Sequence, residues 1–265
     1  MAAGTRWKRN ELLVALNVYH KLTFGQLDQR QAVVIGVSEK LGRTPGSLAF
    51  KLVNFASLDP ALRMRGIKGM EGCSKLDREV WDEYQQNPLE TVPESEAALR
   101  KLCDVRENQD LELLPGQGIV VSNGNLPPET EALGQVKLRL GQGYFRNAVL
   151  NNFGGRCGVT GLPLRELLVA SHIVPWAADA TERLNVRNGL SLSRLHDAAF
   201  DRGLITFDDE YRLVLSPVIS RIPENRSVVE AFTNYAGQAL LFPDDSIAPD
   251  PALLARHRKD IFSRV

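Results

Sequence analysis

Two of the four histidines in this chain, His172 and His196, flank Asn188 within a single stretch of 25 residues. These residue types suit hydrolysis of a phosphodiester bond. That reaction needs a base to turn water into hydroxide, and a neutral imidazole with a pKa of about 6.5 serves. It also needs a cation to offset the charge building on phosphorus and to steady the leaving oxygen. An imidazole or an amide oxygen, completed by waters, can hold one divalent ion. The plainer alternative is two half-buried structural imidazoles with an ordinary Asn-Gly turn between them.

The elements that would position these residues are legible around them. Leu167–Ala170 reads as a buried strand delivering Ser171 and His172 at its end. Gly189–Ser193 reads as a second strand, with Leu190 and Leu192 on one face. Ser193 then caps a short helix, "RLHDAAFDRG", that Gly203 ends. A hairpin folded on one helix would bring His172, Asn188 and His196 together. A further hairpin follows over Ile205–Leu215, turning at Asp208-Asp209-Glu210. Upstream, Gln142–Asn152 fits a helix with Phe145, Val149 and Leu150 inward.

Four blocks in register carry a family resemblance: "CGVTG" (Cys157–Gly161), "SHIVPW" (Ser171–Trp176), "NGLSL" (Asn188–Leu192) and "HDAAFD" (His196–Asp201). Over Arg139–Asp208 the chain resembles the HNH nucleases, in the branch of bacterial restriction-endonuclease-like proteins. The resemblance implies a ββα-metal fold, DNA as substrate, and one divalent ion, Mg²⁺ with Mn²⁺ as a substitute. It implies His172 as general base, His196 as metal ligand, and Asn188 either orienting the base or ligating the metal. Many relatives carry Asp before the first histidine; this chain has Ser171, so the ion would lean on His196, Asn188 or an acid such as Asp201 or Asp197. Many also carry paired CxxC knuckles. Cys157 stands alone here, so we expect it to pack in the core and expect no structural zinc. Trp176 is expected beneath the site, and Arg187 and Arg194 are candidate phosphate clamps.

The N-terminal half reads as helical. Leu12, Leu13, Leu16 and Tyr19 recur at helical spacing. Val33–Leu41 forms a second helix stopped by Gly42, and Thr44 caps a third with Pro45 at its first position. Helix, tight turn, helix is a helix-turn-helix layout. Arg43, Thr44, Ser47 and Lys51 are therefore expected to reach DNA, and the basic, Gly-rich "RMRGIKGMEGCSK" to lie along a phosphate backbone. Leu76–Asn87 reads as a further helix, after which the chain turns acidic and rich in Pro and Gly. This gives a helical domain at 1–100, a linker at 101–135, and a nuclease domain with a C-terminal extension at 136–265.

The net charge of zero hides segregation. Residues 1–76 carry 12 basic side chains against 5 acidic, and residues 77–135 carry 4 against 13. Residues 136–203 are basic again, 9 against 5. Two basic blocks around an acidic one suggest two polyanion-facing modules and a connector. The three cysteines lack CxxC spacing, which excludes a disulfide framework and suits a reducing cytoplasm. No signal peptide is evident, and no apolar run nears the roughly 18 residues of a membrane span.

Together these features predict an α+β protein: a helical, helix-turn-helix-like domain followed by a ββα-metal nuclease domain. The expected activity is metal-dependent cutting of duplex DNA, in a restriction-type defence role implied by the resemblance. Cutting both strands would favour a two-fold homodimer, and no membrane partner is expected. The rival readings are a non-catalytic DNA-binding regulator on an HNH scaffold, and an RNA-cutting defence effector.

Overall fold

The computed structural model describes residues 6–65, 72–123, 133–223 and 225–264, and divides into two units, Met1–Asn151 and Asn152–Val265. In the first unit α1 (Arg9–His20) buries Leu12, Leu13, Leu16 and Tyr19, the stripe read from spacing. Helix α2 (Ala32–Leu41) stops at Gly42, whose φ of 66° is the left-handed conformation that a glycine adopts without a Cβ penalty. Thr44 Oγ1 accepts the Ser47 amide at 3.2 Å and starts α3 (Pro45–Leu58). Helix α4 (Pro60–Met64) is capped by Asp59, which also accepts the Tyr19 hydroxyl at 2.6 Å. Ser74 and Asp77 form a reciprocal capping box at the start of α5 (Lys75–Gln86), and α6 (Pro88–Leu102) follows.

The expected linker over 101–135 is replaced, in its described part, by a hairpin. Strands β1 (Gln109–Leu114) and β2 (Gly118–Asn123) pair antiparallel, Leu111 opposite Val121 and Leu113 opposite Ile119. Leu111 and Leu113 join the apolar core with the leucines of α1. At about 1.5–3 kcal/mol per fully buried aliphatic side chain, burying two leucines outweighs keeping this stretch solvated. The acids Asp110 and Glu112 alternate with them on the other face. Helix α7 (Leu133–Asn152), placed with the nuclease domain by the sequence reading, contributes to this unit as far as Asn151. Asn151 Nδ2 donates to the carbonyls of Lys21 and Leu113, and Asn147 pairs with Leu113 in both directions.

The charge segregation also resolves differently. Acids of the 77–135 block are partners for bases of the 1–76 block. Arg9 bonds Glu83 and Glu94, Lys21 meets Glu96 at 2.6 Å, and Lys51 meets both oxygens of Asp77 at 2.8 Å. Lys21 and Glu96 are sealed from solvent, as is Asp77, with Lys51 only 8% exposed. Arg43 pairs with Glu11, donates to the Arg6 carbonyl, and lies 4.1 Å over the Trp7 ring. Lys51 and Arg43, expected to reach DNA, are thus engaged in ties within this unit. Fully buried charges persist only when paired in this way.

The second unit centres on β3 (Leu168–His172) and β4 (Gly189–Ser193), paired antiparallel with His172 opposite Gly189 and Leu168 opposite Ser193. Helix α8 (Arg194–Asp201) packs on both strands, started by Ser193, which accepts the His196 amide. Strands β5 (Ile205–Phe207) and β6 (Leu213–Leu215) form the second hairpin. Short helices α9 (Pro217–Ser220) and α10 (Arg226–Ala231) follow, then α11 (Pro251–Asp260). The core holds Leu190, Leu192, Phe200, Ile205, Phe207 and Leu254, with Cys157 buried and accepting the Ser193 amide at 3.3 Å. His257 stacks on Phe200 at 3.7 Å and bonds Thr206 and the Phe200 carbonyl. The mixture of helices and short antiparallel pairs is α+β. Among the described residues no helix is long and apolar enough to cross a membrane.

Candidate active site

The connection from β3 to β4, residues 173–188, is a coil whose shape is set by its own polar side chains. Asp179 accepts from Thr181 twice and pairs with Arg256 at 2.8 Å, which holds its carboxyl down to about 2. Asn185 bonds Glu182 and accepts the Arg187 amide. Asn188, with 0% exposure, makes the largest contribution. Its Oδ1 accepts the Val174 amide at 2.8 Å, and its Nδ2 donates to the carbonyls of Val174 at 3.1 Å and Glu182 at 3.0 Å.

That scaffold sets His172. The Arg183 carbonyl, one residue beyond the one Asn188 holds, lies 2.9 Å from His172 Nε2. A carbonyl only accepts, so Nε2 carries the proton and the lone pair sits on Nδ1. The ring meets Trp176 edge-on at 5.5 Å, and the Arg183 guanidinium lies 5.3 Å over that indole while donating to the Trp176 carbonyl. Burial pushes the His172 imidazole below its ordinary value, opposed by the Arg183 carbonyl and the charge of Asp197. At neutral pH it is therefore an uncharged, oriented imidazole, as a general base must be.

The other expected ligands sit differently. Both amide hydrogens of Asn188 and one lone pair of its oxygen are committed inside the protein, where they shape the loop beside His172. His196, on the first turn of α8, is 2% exposed. Its Nε2 donates to the Ala231 carbonyl at 2.8 Å, which leaves Nδ1 to accept from the Ser193 hydroxyl at 2.7 Å. Phe232 lies 5.4 Å from its ring and Tyr235 stands perpendicular at 6.2 Å. Neither nitrogen has a lone pair to offer a metal as arranged. Asp201, at the exposed end of α8, has its carboxyl pushed up by partial loss of solvent and then by Asp197. Among the described residues no three His, Cys, Asp or Glu side chains gather as a metal cage.

Of the six expected DNA contacts, Lys51 and Arg43 are internal. Thr44 and Ser47 serve the start of α3, Thr44 exposed and Ser47 half-buried. Arg187 is tied to Asp250 at 3.2 Å and to the Ala248 carbonyl. Arg194 is exposed, with no ion pair to another of the described residues. Residues 66–71 of the expected basic loop lie outside the described residues.

Two groups at the site carry no readable sign in the sequence. The Arg183 carbonyl acts through backbone, which any residue supplies. Ala231 meets His196 across 35 positions of chain. Asp197 had a signal: at one position from His196 and four from Asp201, it shares the exposed rim of α8 with the latter.

Residues 157–208 match the family described as HNH endonuclease, over about a fifth of the chain. The match begins at Cys157 and ends beyond α8, enclosing the hairpin and helix that present His172, Asn188 and His196. No curated protein matches the chain.

Proposed function

We propose, starting from the HNH endonuclease domain that residues 157–208 carry, that this chain hydrolyses phosphodiester bonds of duplex DNA with His172 as general base. The observation that carries the reading is the hydrogen bond from His172 Nε2 to the Arg183 carbonyl. It fixes the tautomer and keeps a lone pair on Nδ1 of a neutral imidazole. In the step it supports, Nδ1 takes a proton from water as the water oxygen bonds to phosphorus. The bond from phosphorus to the leaving sugar oxygen breaks, and that oxygen takes a proton from solvent. Asn188 acts through the loop, holding Glu182 so that the Arg183 carbonyl meets the imidazole. Asp197, whose charge is felt at His172, favours the imidazolium that forms.

The divalent ion expected of such nucleases, Mg²⁺ or Mn²⁺, does not fit the residues as they are arranged. His196 is occupied at both nitrogens and Asn188 is consumed by the loop, so no step is routed through a metal here. DNA docking by α3 is also weakened, because its one cation is buried. Arg194, at the start of α8, is the better phosphate contact in this unit. A restriction-type role and a two-fold homodimer cutting both strands belong to the same proposal.

The test is nicking of supercoiled plasmid from modifying and non-modifying hosts, with Mg²⁺ or Mn²⁺, by wild type and His172→Ala. Structured RNA is run alongside in the same buffer. Cutting of DNA by wild type alone supports the assignment. RNA cutting without DNA cutting reassigns the substrate. Tight duplex binding with no cut product from either protein, on any plasmid, would mean a DNA-binding scaffold.

A further inference from the structure

A cavity opens beside the strand end that carries His172. One wall comes from the residues that follow that histidine: Ile173 and Val174, both buried, and Pro175 and Ala178, both exposed. The facing wall is α11 and the turn after it, through Arg256, Asp260, Ile261 and Arg264. The cavity measures about 380 Å³, at the small end of the roughly 300–1,000 Å³ that small-ligand sites occupy. Both walls are held from within this unit. Asn188 fixes Val174 through its amide and its carbonyl. Arg256 donates to Asp179 at 2.8 Å and so ties α11 to the same loop. His257, which also borders the cavity, is occupied by Thr206 and the Phe200 carbonyl.

The polar groups that remain decide what the cavity can take. Asp260 stands 3.7 Å from Arg256 Nε, beyond hydrogen-bond distance, and among the described residues nothing donates to its carboxylate. Arg264, four residues on, is exposed and makes no ion pair with another of the described residues. An apolar slot bearing one double acceptor and one cation suits a flat ring with polar edges. It does not suit a bare phosphate, which Asp260 repels.

We propose that this cavity seats a guanine base. Guanine carries donors on two adjacent nitrogens, N1 and N2, which one carboxylate accepts in parallel. Its O6 and N7 are acceptors for a guanidinium. Adenine, cytosine and thymine each donate from one nitrogen only. Asp260 is then the residue that selects the base, Arg264 the contact to O6 and N7, and Ile173, Pro175 and Ile261 the cover for its faces. Because Ile173 directly follows His172, a base seated here belongs to a nucleotide near the bond that His172 would attack. Such a base is out of the stack, whether extruded from a duplex, part of a single strand, or carried by a free nucleotide. Holding it does not require cutting, so this inference goes beyond the nuclease reading and is tested separately from it.

The experiment measures binding of two probe sets to the full chain. Guanosine and adenosine monophosphates are followed by NMR shifts of the Ile173, Val174 and Ile261 amides. Fluorescent oligothymidylates bearing one central guanine or adenine are followed by anisotropy. Wild type is compared with Asp260→Asn and Ala178→Trp. Wild type should favour guanine over adenine by about five- to 150-fold, the range of one good bidentate contact. Asp260→Asn replaces the double acceptor by one acceptor and one donor, the pattern that pairs with adenine, so the preference should vanish or reverse. A residue that only shaped the helix end would weaken both bases alike. Ala178→Trp fills the slot and should abolish binding of both. A preference among the monophosphates shows that a free nucleotide suffices, and one confined to the oligonucleotides assigns the base to nucleic acid; either supports the cavity. No binding by wild type, equal binding of the two bases, an unchanged preference in Asp260→Asn, or wild-type binding by Ala178→Trp overturns it. Plasmid nicking that persists beside such a result leaves the nuclease reading standing, and a guanine preference without nicking leaves the cavity standing alone.

Discussion

Asn188 offers the sharpest test of the site, because a loop tie and a metal ligand respond oppositely to one atom's change. Asn188→Ala removes three hydrogen bonds inside a fully enclosed site and leaves the Val174 amide and the Val174 and Glu182 carbonyls without partners. At about 1–1.5 kcal/mol each, the expected loss of stability is about 3–4 kcal/mol. Asn188→Asp keeps the shape but points a carboxylate at two carbonyl oxygens, with only the Val174 amide as donor. A buried carboxylate so placed titrates above its unfolded value of about 3.9, so the native state holds the proton longer than the unfolded chain does. Stability relative to wild type should therefore fall as pH rises from about 4, and Asp should be worse than Ala at neutral pH. Urea unfolding at pH 5 and pH 8 measures this, and hydrogen exchange at Val174 and across 173–188 shows whether the loop loosens. Were Asn188 a metal ligand, Asp would instead tighten Mn²⁺ binding with little cost. An Asn188→Asp protein as stable as wild type and binding Mn²⁺ more tightly would refute the tie.

Three further outcomes are expected. Lys51→Ala should destabilise the first unit by about 3–5 kcal/mol by leaving Asp77 buried and unpaired; lower DNA affinity at an unchanged urea midpoint would restore Lys51 as a contact. Arg194→Ala should weaken duplex binding uniformly across sequences and reduce the salt dependence by about one phosphate contact, with stability unchanged to within about 0.5 kcal/mol; an unaltered salt slope would remove it from the interface. Burial depresses His257 to about 4 and His20 to about 3, both from 6.5, so the unfolded chain binds these protons first. Stability contributed by the neutral rings is present above 6.5 and lost as pH falls toward those values, roughly 3 kcal/mol for His257 alone at about 1.36 kcal/mol per pH unit. A urea midpoint that stays level from pH 7 to pH 5 would contradict it.

Where periodicity and caps agreed, the sequence was easily read. Gly189–Ser193 is the strand expected, Ser193 caps α8, and Gly42 and Thr44 bracket the turn between α2 and α3. The β1–β2 hairpin was hidden because Asp110 and Glu112, on its outward face, raise the acidity of a stretch whose inward leucines alternate with them. Composition averages over both faces; alternation separates them. Lys51 was misread for a related reason. It lies three residues after Leu48 and four before Phe55, on the buried stripe of α3, so its position outranked its charge. His172, Asn188 and His196 are candidates by type and order within the motifs that carry the family resemblance. Their partners are not, since the Arg183 and Ala231 carbonyls have no side-chain signature and the latter meets His196 only through tertiary folding.

The pairing of early bases with later acids also orders events during synthesis. Lys21 and Lys51 must enter the interior, yet Asp77 and Glu96 leave the ribosome 26 and 75 residues after them. Until then the nascent chain is a cationic, incompletely buried polypeptide beside ribosomal RNA, and its first helices have no way to close their core. Asn151, which secures the Lys21 carbonyl, arrives later still. The N-terminal unit should therefore consolidate late and as a whole, and a fragment cut at residue 76, with 12 basic side chains against 5 acidic, should behave as a sticky polycation rather than a small helical domain.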